Sequence, residues 1–148
     1  MKSLLLPFAL IALIVQFENA FAAESPAPLS QVADRALTDG KDAKLNAGFA
    51  RMLGLKTDQP LLLKRLQIER DGATNVLDVL PKARNTIILS ERRQSITTFY
   101  LTDRAGNLVK AVVNDGAVSN GGLTNLTRAT AMAGFDRQKK LWAQQKAN

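Results

Sequence analysis

Carboxylates are the side chains of this sequence that could carry acid–base chemistry. The chain contains no histidine and no cysteine, which excludes Ser-His-Asp and Cys-His catalysis and zinc or haem ligation by those side chains. A glycosidase needs two carboxyl groups about 5–10 Å apart. Glu69 with Glu91 or Asp78 would satisfy this only if their strands adjoin and their side chains share a face. Acidic residues near strand ends are more often solvated, so we predict no catalytic residue.

A metal site is not indicated by the spacing of the oxygen-bearing side chains. Asn114 and Asp115 precede Ser119 and Asn120, but this spacing does not match the calcium-binding loop of the EF-hand. A turn explains the adjacent Asp115-Gly116 pair more simply. We therefore predict no metal and no cofactor.

Basic residues outnumber acidic ones, and the 20 Lys and Arg against 13 Asp and Glu give a formal net charge of +7. Such an excess attracts anionic partners, which here means an acidic protein or an anionic polymer of the cell envelope. Colloidal solubility explains the excess equally well. Nucleic acid is a weaker candidate, because single-strand binding uses aromatic platforms interleaved with basic residues and no such pattern is present.

Three basic residues form a candidate site when they are placed on an up-and-down sheet. Lys82, Arg84 and Arg104 belong to turns that would meet at one end of that sheet. The turns at the other end, near Arg70 and Arg92, also contain acidic residues. We predict that Lys82, Arg84 and Arg104 bind the acidic partner. The alternative, that these long side chains only solvate turns, stays open.

The sheet that must position these residues is centred on one hairpin. Ile96–Thr102 is rich in β-branched and aromatic residues, and the apolar stretch Leu108–Val113 follows it. Between them, the Asp103–Gly106 turn has Asp first and Gly fourth, which is typical of a type I turn closed by a bulge. Two strand-like stretches joined by a short turn predict a pair of antiparallel strands.

Three more strands are predicted before that hairpin. Leu61–Arg70 alternates apolar and polar residues, and the Asp71-Gly72 pair connects it to a return strand over Thr74–Leu80. Thr86–Ser90 is a short strand with apolar residues on both faces, which suggests a central position. Glu91–Gln94 is expected to be a polar turn.

Helical periodicity appears at both ends of the predicted domain. Leu29–Leu37 has apolar residues at helical spacing before Gly40, and a second helical pattern over Leu45–Leu53 leads to Gly54, with Asp39 or Asp42 as its cap. Whether these are one broken helix or two is left open. A C-terminal helix is expected from about Thr124, with Gly134 as a weak point and a restart or kink at Phe135-Asp136. The predicted class is α+β: a helix or helix pair, an antiparallel meander of about five strands, and a C-terminal helix on one sheet face.

The N-terminus has the features of an export signal. Lys2 provides a positive start, Leu4–Val15 is apolar, and Ala20-Phe21-Ala22 is typical of a cleavage site. The apolar run is shorter than the roughly 20 residues that span a bilayer, so no transmembrane anchor is expected after cleavage. We predict a signal peptide over residues 1–22, an extended leader over 23–29, and one domain over 30–148.

The function that these features favour is a small exported module, periplasmic or extracellular, that binds a partner without catalysis. A small carboxylate-dependent hydrolase of envelope polymers is the alternative. Neither the partner nor the oligomeric state is indicated by any motif in the sequence.

Overall fold

The computed structural model describes residues 28–117 and 123–145. The predicted signal peptide and the predicted leader up to residue 27 lie outside these ranges, as do Ser119 and Asn120, which were considered above as oxygen ligands. The leader was predicted to continue to Leu29, but this residue is buried and begins the first helix. Within the described ranges, no helix has the length and apolar character needed to cross a membrane.

The described residues form three helices and seven strands, and the strands belong to one antiparallel sheet in which every strand pairs with its neighbours in chain order. The predicted α+β class, the meander and the C-terminal helix on one sheet face are confirmed, with seven strands in place of about five. The elements are α1 (Leu29–Asp39), β1 (Lys41–Leu45), α2 (Ala47–Met52), β2 (Leu61–Arg70), β3 (Ala73–Leu80), β4 (Ala83–Arg93), β5 (Ile96–Asp103), β6 (Leu108–Asp115), β7 (Leu123–Asn125) and α3 (Arg128–Ala143).

The two additional strands occupy the edges of the sheet. The β1 strand contains Leu45, which was predicted to begin the second helix, and its five residues pair with β2. Two N-terminal helices therefore exist, and α2 is capped by Asn46 Oδ1, which accepts from the Gly48 amide at 2.7 Å, in place of the predicted Asp39 or Asp42. At the other edge β7 includes Thr124, where the C-terminal helix was expected to begin, so α3 starts later than predicted.

The hairpin turns follow the backbone preferences of their residues. Asp71 and Gly72 both have positive φ, 54° and 75°, as a two-residue type I′ turn requires. Gly106 has φ 90° and its amide donates to the Asp103 carbonyl at 3.1 Å, which confirms the predicted bulged turn. The predicted polar turn over 91–94 is wrong, because β4 continues to Arg93 and pairs with β5 from Thr86 to Arg93.

One face of the sheet packs against α1 and α3. Alternate residues of the central strands point into this core, as the two-residue period of a strand requires. The helix residues that meet them lie at helical spacing on α1 and α3. The buried members of this core are Leu29, Val32, Ala33, Ala36, Leu77, Val79, Ile87, Leu89, Tyr100, Ala111, Ala131, Phe135 and Trp142.

A buried polar chain fixes α3 over the sheet. Gln138 Nε2 donates to Asn75 Oδ1 at 2.9 Å, and Trp142 Nε1 donates to Gln138 Oε1 at 3.2 Å. Near this chain, α3 approaches β5 closely at Gly134, where an added Cβ would collide with the Tyr100 hydroxyl. The helix is continuous through Gly134, so the predicted kink is absent and the glycine instead permits close packing.

The other sheet face is covered in part by α2 and the residues that follow it. Leu53 is fully buried there, and the Phe49 and Phe99 rings lie 4.5 Å apart. Beside this second core, Arg65 Nε and Nη2 donate to the two carboxylate oxygens of Asp78 at 2.8 and 3.0 Å. Burial raises the pKa of Asp78, and the guanidinium of Arg65 opposes this rise without cancelling it.

We expect Arg65→Met to lower the free energy of unfolding by about 2 kcal/mol at neutral pH, because it leaves a buried carboxylate without its partner. This value allows for the partial exposure of Arg65, whose side chain is 35% exposed. A carboxyl whose pKa is higher in the folded protein binds its proton more tightly there. Its contribution to stability is therefore present below the unfolded pKa and is lost as pH rises through the folded pKa. Denaturant titrations across acid and neutral pH should show that the loss of unfolding free energy caused by Arg65→Met grows as pH rises.

Two variants serve as controls for this experiment. Lys64→Met breaks the neighbouring pair with Asp42, whose side chain is 88% exposed, so its effect should be smaller and less dependent on pH. The double variant Arg65→Met/Asp78→Leu removes both charges and should recover much of the stability. If Arg65→Met and Lys64→Met lower the free energy of unfolding equally, the conclusion that burial of Asp78 makes its ion pair the more important one is contradicted.

Candidate functional site

The meander brings the three predicted binding residues to one end of the sheet. Leu80 pairs with Ala83 and Thr86 pairs with Asp103, so the β3–β4 and β5–β6 turns are neighbours. We call this the basic end and define it by Lys82, Arg84 and Arg104. The predicted placement of the two turns is therefore confirmed, whereas the binding role of the three residues stays a prediction.

The guanidinium of Arg104 connects the basic end to the first helix. Its Nη2 donates to Ser30 O at 3.0 Å, to Ser30 Oγ at 3.1 Å and to Asp34 Oδ1 at 2.5 Å. Its Nη1 lies 3.5 Å from the carbonyl oxygen of Arg84. Arg104 thus links α1 to the β5–β6 turn and to the start of β4, and its side chain is only 20% exposed.

The three cations of the basic end consequently differ in what they can offer a ligand. Part of the Arg104 charge is balanced by Asp34, which is itself 66% exposed. Lys82 and Arg84 are exposed, and neither makes an ion pair with any residue of the described ranges. Within the described residues, Lys82 and Arg84 are therefore the cations of the basic end whose charge is not balanced by an ion pair.

The turn that carries Arg104 is held by its own hydrogen bonds. The Asp103 carboxylate accepts from the Asn107 amide at 2.9 Å and from Asn107 Nδ2 at 3.1 Å. These bonds lower the pKa of Asp103, because hydrogen bonds to the charged form stabilise it. The Thr102 hydroxyl also donates to the Asn107 carbonyl at 2.9 Å. The turn therefore presents Arg104 from a fixed backbone.

A cleft of about 490 Å³ opens beside Arg104, between the start of α1, the β5–β6 turn and the outer side of α3. We call it the α1–α3 cleft. Its volume lies within the range of typical ligand sites, roughly 300–1,000 Å³. The walls combine small or apolar residues with three cations and one carboxylate: Pro28, Leu29, Arg104, Ala105, Gly106, Asp136, Lys139, Lys140, Ala143 and Gln144.

Two lysines of α3 give this cleft its charge. Lys139 Nζ lies 4.7 Å from the centroid of the Phe135 ring and 3.5 Å from Asp136 Oδ1, so the ring and the carboxylate hold its ammonium group in place. Lys140 is exposed and makes no ion pair in the part of the chain that the structure describes. Together with Arg104 they form a rim suited to carboxylate, phosphate or sulfate groups.

Sequence reasoning did not select Lys139 and Lys140 as site residues. Cations near the C-terminal end of a helix complement its dipole, so the presence of these two lysines could be explained without a binding site. A further signal would have been needed to show which side of α3 faces the β5–β6 turn. That information comes from the packing of Phe135 and Trp142, which are fully buried under the helix.

The carboxylate pairs considered for a glycosidase are not brought together. Glu69 and Glu91 lie on β2 and β4, and β3 lies between these two strands. Glu69 is paired with Thr74, and Thr74 with Arg92, so Glu69 and Arg92 share a face of the sheet. Glu91 is the neighbour of Arg92 in the strand and therefore points to the opposite face. Asp78 is four residues from Thr74 along β3, about 13 Å, and is bound to Arg65. Across the described residues, no three Asp or Glu side chains are grouped as a metal site would require.

Comparison of the chain with known protein families, with characterised proteins and with solved structures finds no match. The interpretation of the site therefore depends on the residues and their geometry.

We expect Arg104→Gln to lower the free energy of unfolding by about 1–2 kcal/mol, because it removes hydrogen bonds between a charged donor and the α1 residues Ser30 and Asp34. Hydrogen exchange should become faster in α1, whose connection to the β5–β6 turn is lost. Arg84→Gln is the matched control, since the Arg84 side chain is exposed, and it should change stability by less than about 0.5 kcal/mol. Equal exchange rates of α1 in the two variants would exclude the connecting role of Arg104.

Proposed function

We propose that this protein is a small exported, non-enzymatic binding module whose basic end and α1–α3 cleft hold an acidic protein or an anionic polymer of the cell envelope. The observation that carries the proposal is the cleft itself. It has cations from two separate elements, Arg104 from the sheet and Lys139 and Lys140 from α3. Arg104 also belongs to the basic end, which includes the exposed Lys82 and Arg84.

Charge and shape both support this proposal. The chain has a formal net charge of +7, and three cations against one carboxylate line the cleft. A concave surface with an excess of one sign of charge concentrates ligands of the opposite sign. The cleft walls offer no His or Cys for nucleophilic or metal chemistry, since the chain has none. The hydrolase alternative has less support, because the carboxylate pairs that it would use are not assembled.

Binding of anionic probes tests this proposal. The triple variant Lys82→Gln/Arg84→Gln/Lys140→Gln should bind dextran sulfate or polyglutamate at least about tenfold more weakly than the unmodified protein, since each lost contact contributes a fraction of a kcal/mol. Affinity of the unmodified protein should fall steeply as salt concentration rises. Both effects can be measured by isothermal calorimetry or fluorescence anisotropy.

The control variant removes the same number of charges elsewhere. Lys41→Gln/Lys44→Gln/Lys56→Gln alters exposed residues in β1 and the loop before β2, which do not line the α1–α3 cleft. Its affinity should stay close to that of the unmodified protein. If both triple variants lose affinity equally, the interaction depends on net charge alone and the proposed site is wrong.

Export is the second part of the proposal, supported by the Lys2, Leu4–Val15 and Ala20-Phe21-Ala22 pattern. Expression with the native N-terminus in a bacterial host should yield a mature chain that begins at Ala23 in the periplasm or medium. Intact mass and N-terminal sequencing measure this directly. Replacing Ala20 and Ala22 with bulky residues should block processing, and recovery of a cytosolic chain that still begins at Met1 would contradict export.

A further inference from the structure

A second cleft lies on the opposite side of α3 from the first. It has a volume of about 270 Å³, and Arg70, Arg93, Arg137 and Lys140 supply its positive charge. The buried side chains of Asn75 and Gln138 form part of its floor. We call it the α3–hairpin cleft, because the β2–β3 hairpin forms its outer wall.

The two clefts meet at two residues of α3 that they share. Lys140 and Gln144 line both of them, and Lys140 is exposed between them. Six different cations and three carboxylates line the clefts together, which leaves a positive excess along the whole path. Two of those carboxylates, Asp136 and Glu91, are paired with Lys139 and Arg93.

Within the described residues, no exposed large apolar side chain lines this path. Protein interfaces usually derive much of their affinity from large apolar or aromatic side chains that insert into pockets. The large hydrophobic residues that are exposed in the described ranges are Met52, Leu62, Ile96 and Val109, and none of these lines either cleft. Phe135 and Trp142 on α3 are fully buried. The path offers charge, amide groups, small side chains and only two large apolar residues, the buried Leu29 and the half-buried Leu141.

We infer that the two clefts form one continuous groove and that its occupant is a linear anionic polysaccharide that passes over Lys140. This inference rests on the function proposed above and specifies its partner. A helix is about 10–12 Å across with its side chains, so a ligand that reaches both clefts must be longer than that. A flexible chain with regularly spaced anionic groups meets this condition, and a single small anion does not.

Sulfated oligosaccharides of graded length, from disaccharide to decasaccharide, test the inference. Affinity should rise sharply once the oligosaccharide is long enough to enter both clefts, and then level off. Arg70→Gln/Arg137→Gln alters two exposed cations of the α3–hairpin cleft that make no ion pair in the described residues. This variant should bind the long oligosaccharides about tenfold more weakly and should bind the disaccharide with unchanged affinity.

Lys41→Gln/Lys44→Gln again provides a control with the same loss of charge, and its affinity should be unchanged at every length. If affinity does not depend on length, or if Arg70→Gln/Arg137→Gln behaves like the control, the continuous groove is excluded while the anion-binding cleft stands. If neither polyglutamate nor a sulfated probe of any length binds, the proposed function itself fails. Preferential binding of a folded acidic protein over every oligosaccharide would replace the polysaccharide with a protein partner.

Discussion

The position of α3 depends on the buried side chain of Gln138. Its amide is hydrogen-bonded to Asn75 on β3 and to Trp142 one turn further along the same helix. Buried polar groups of this kind are costly when they lose their partners, so this chain selects one position of the helix over the sheet. The close approach of Gly134 to Tyr100 requires the same position. Both clefts exist because α3 is held there.

Arg104 holds α1 in position, and the same contacts reduce the charge that this residue offers to the α1–α3 cleft. Its contacts with Ser30 and Asp34 determine how the first helix meets the β5–β6 turn, and that junction forms one wall of the α1–α3 cleft. Because part of its charge is balanced by Asp34, the residue contributes more to the shape of the cleft than to its attraction for anions. The lysines of α3 supply that attraction.

The two faces of the sheet are stabilised in different ways. Two helices and a continuous apolar core cover one face, while α2 and the residues after it cover part of the other. The Arg65–Asp78 pair lies beside this smaller core. A buried ion pair adds little net stability compared with apolar packing, but the loss of one partner is costly. The face covered by α1 and α3 therefore has the larger apolar core.

Local residue preferences in the sequence determined much of this architecture. The alternation of apolar residues predicted the central strands, Asp71-Gly72 and Asp103–Gly106 predicted their turns, and the ends of the meander placed Lys82, Arg84 and Arg104 together. The sequence could not identify β1 and β7, because an edge strand with exposed polar residues has no strong pattern of its own and forms through its neighbour. The tertiary structure alone decided that Arg104 is engaged by Asp34 and that Lys139 and Lys140 line a cleft. Those outcomes depend on contacts between residues far apart in the chain, about which local periodicity contains no information.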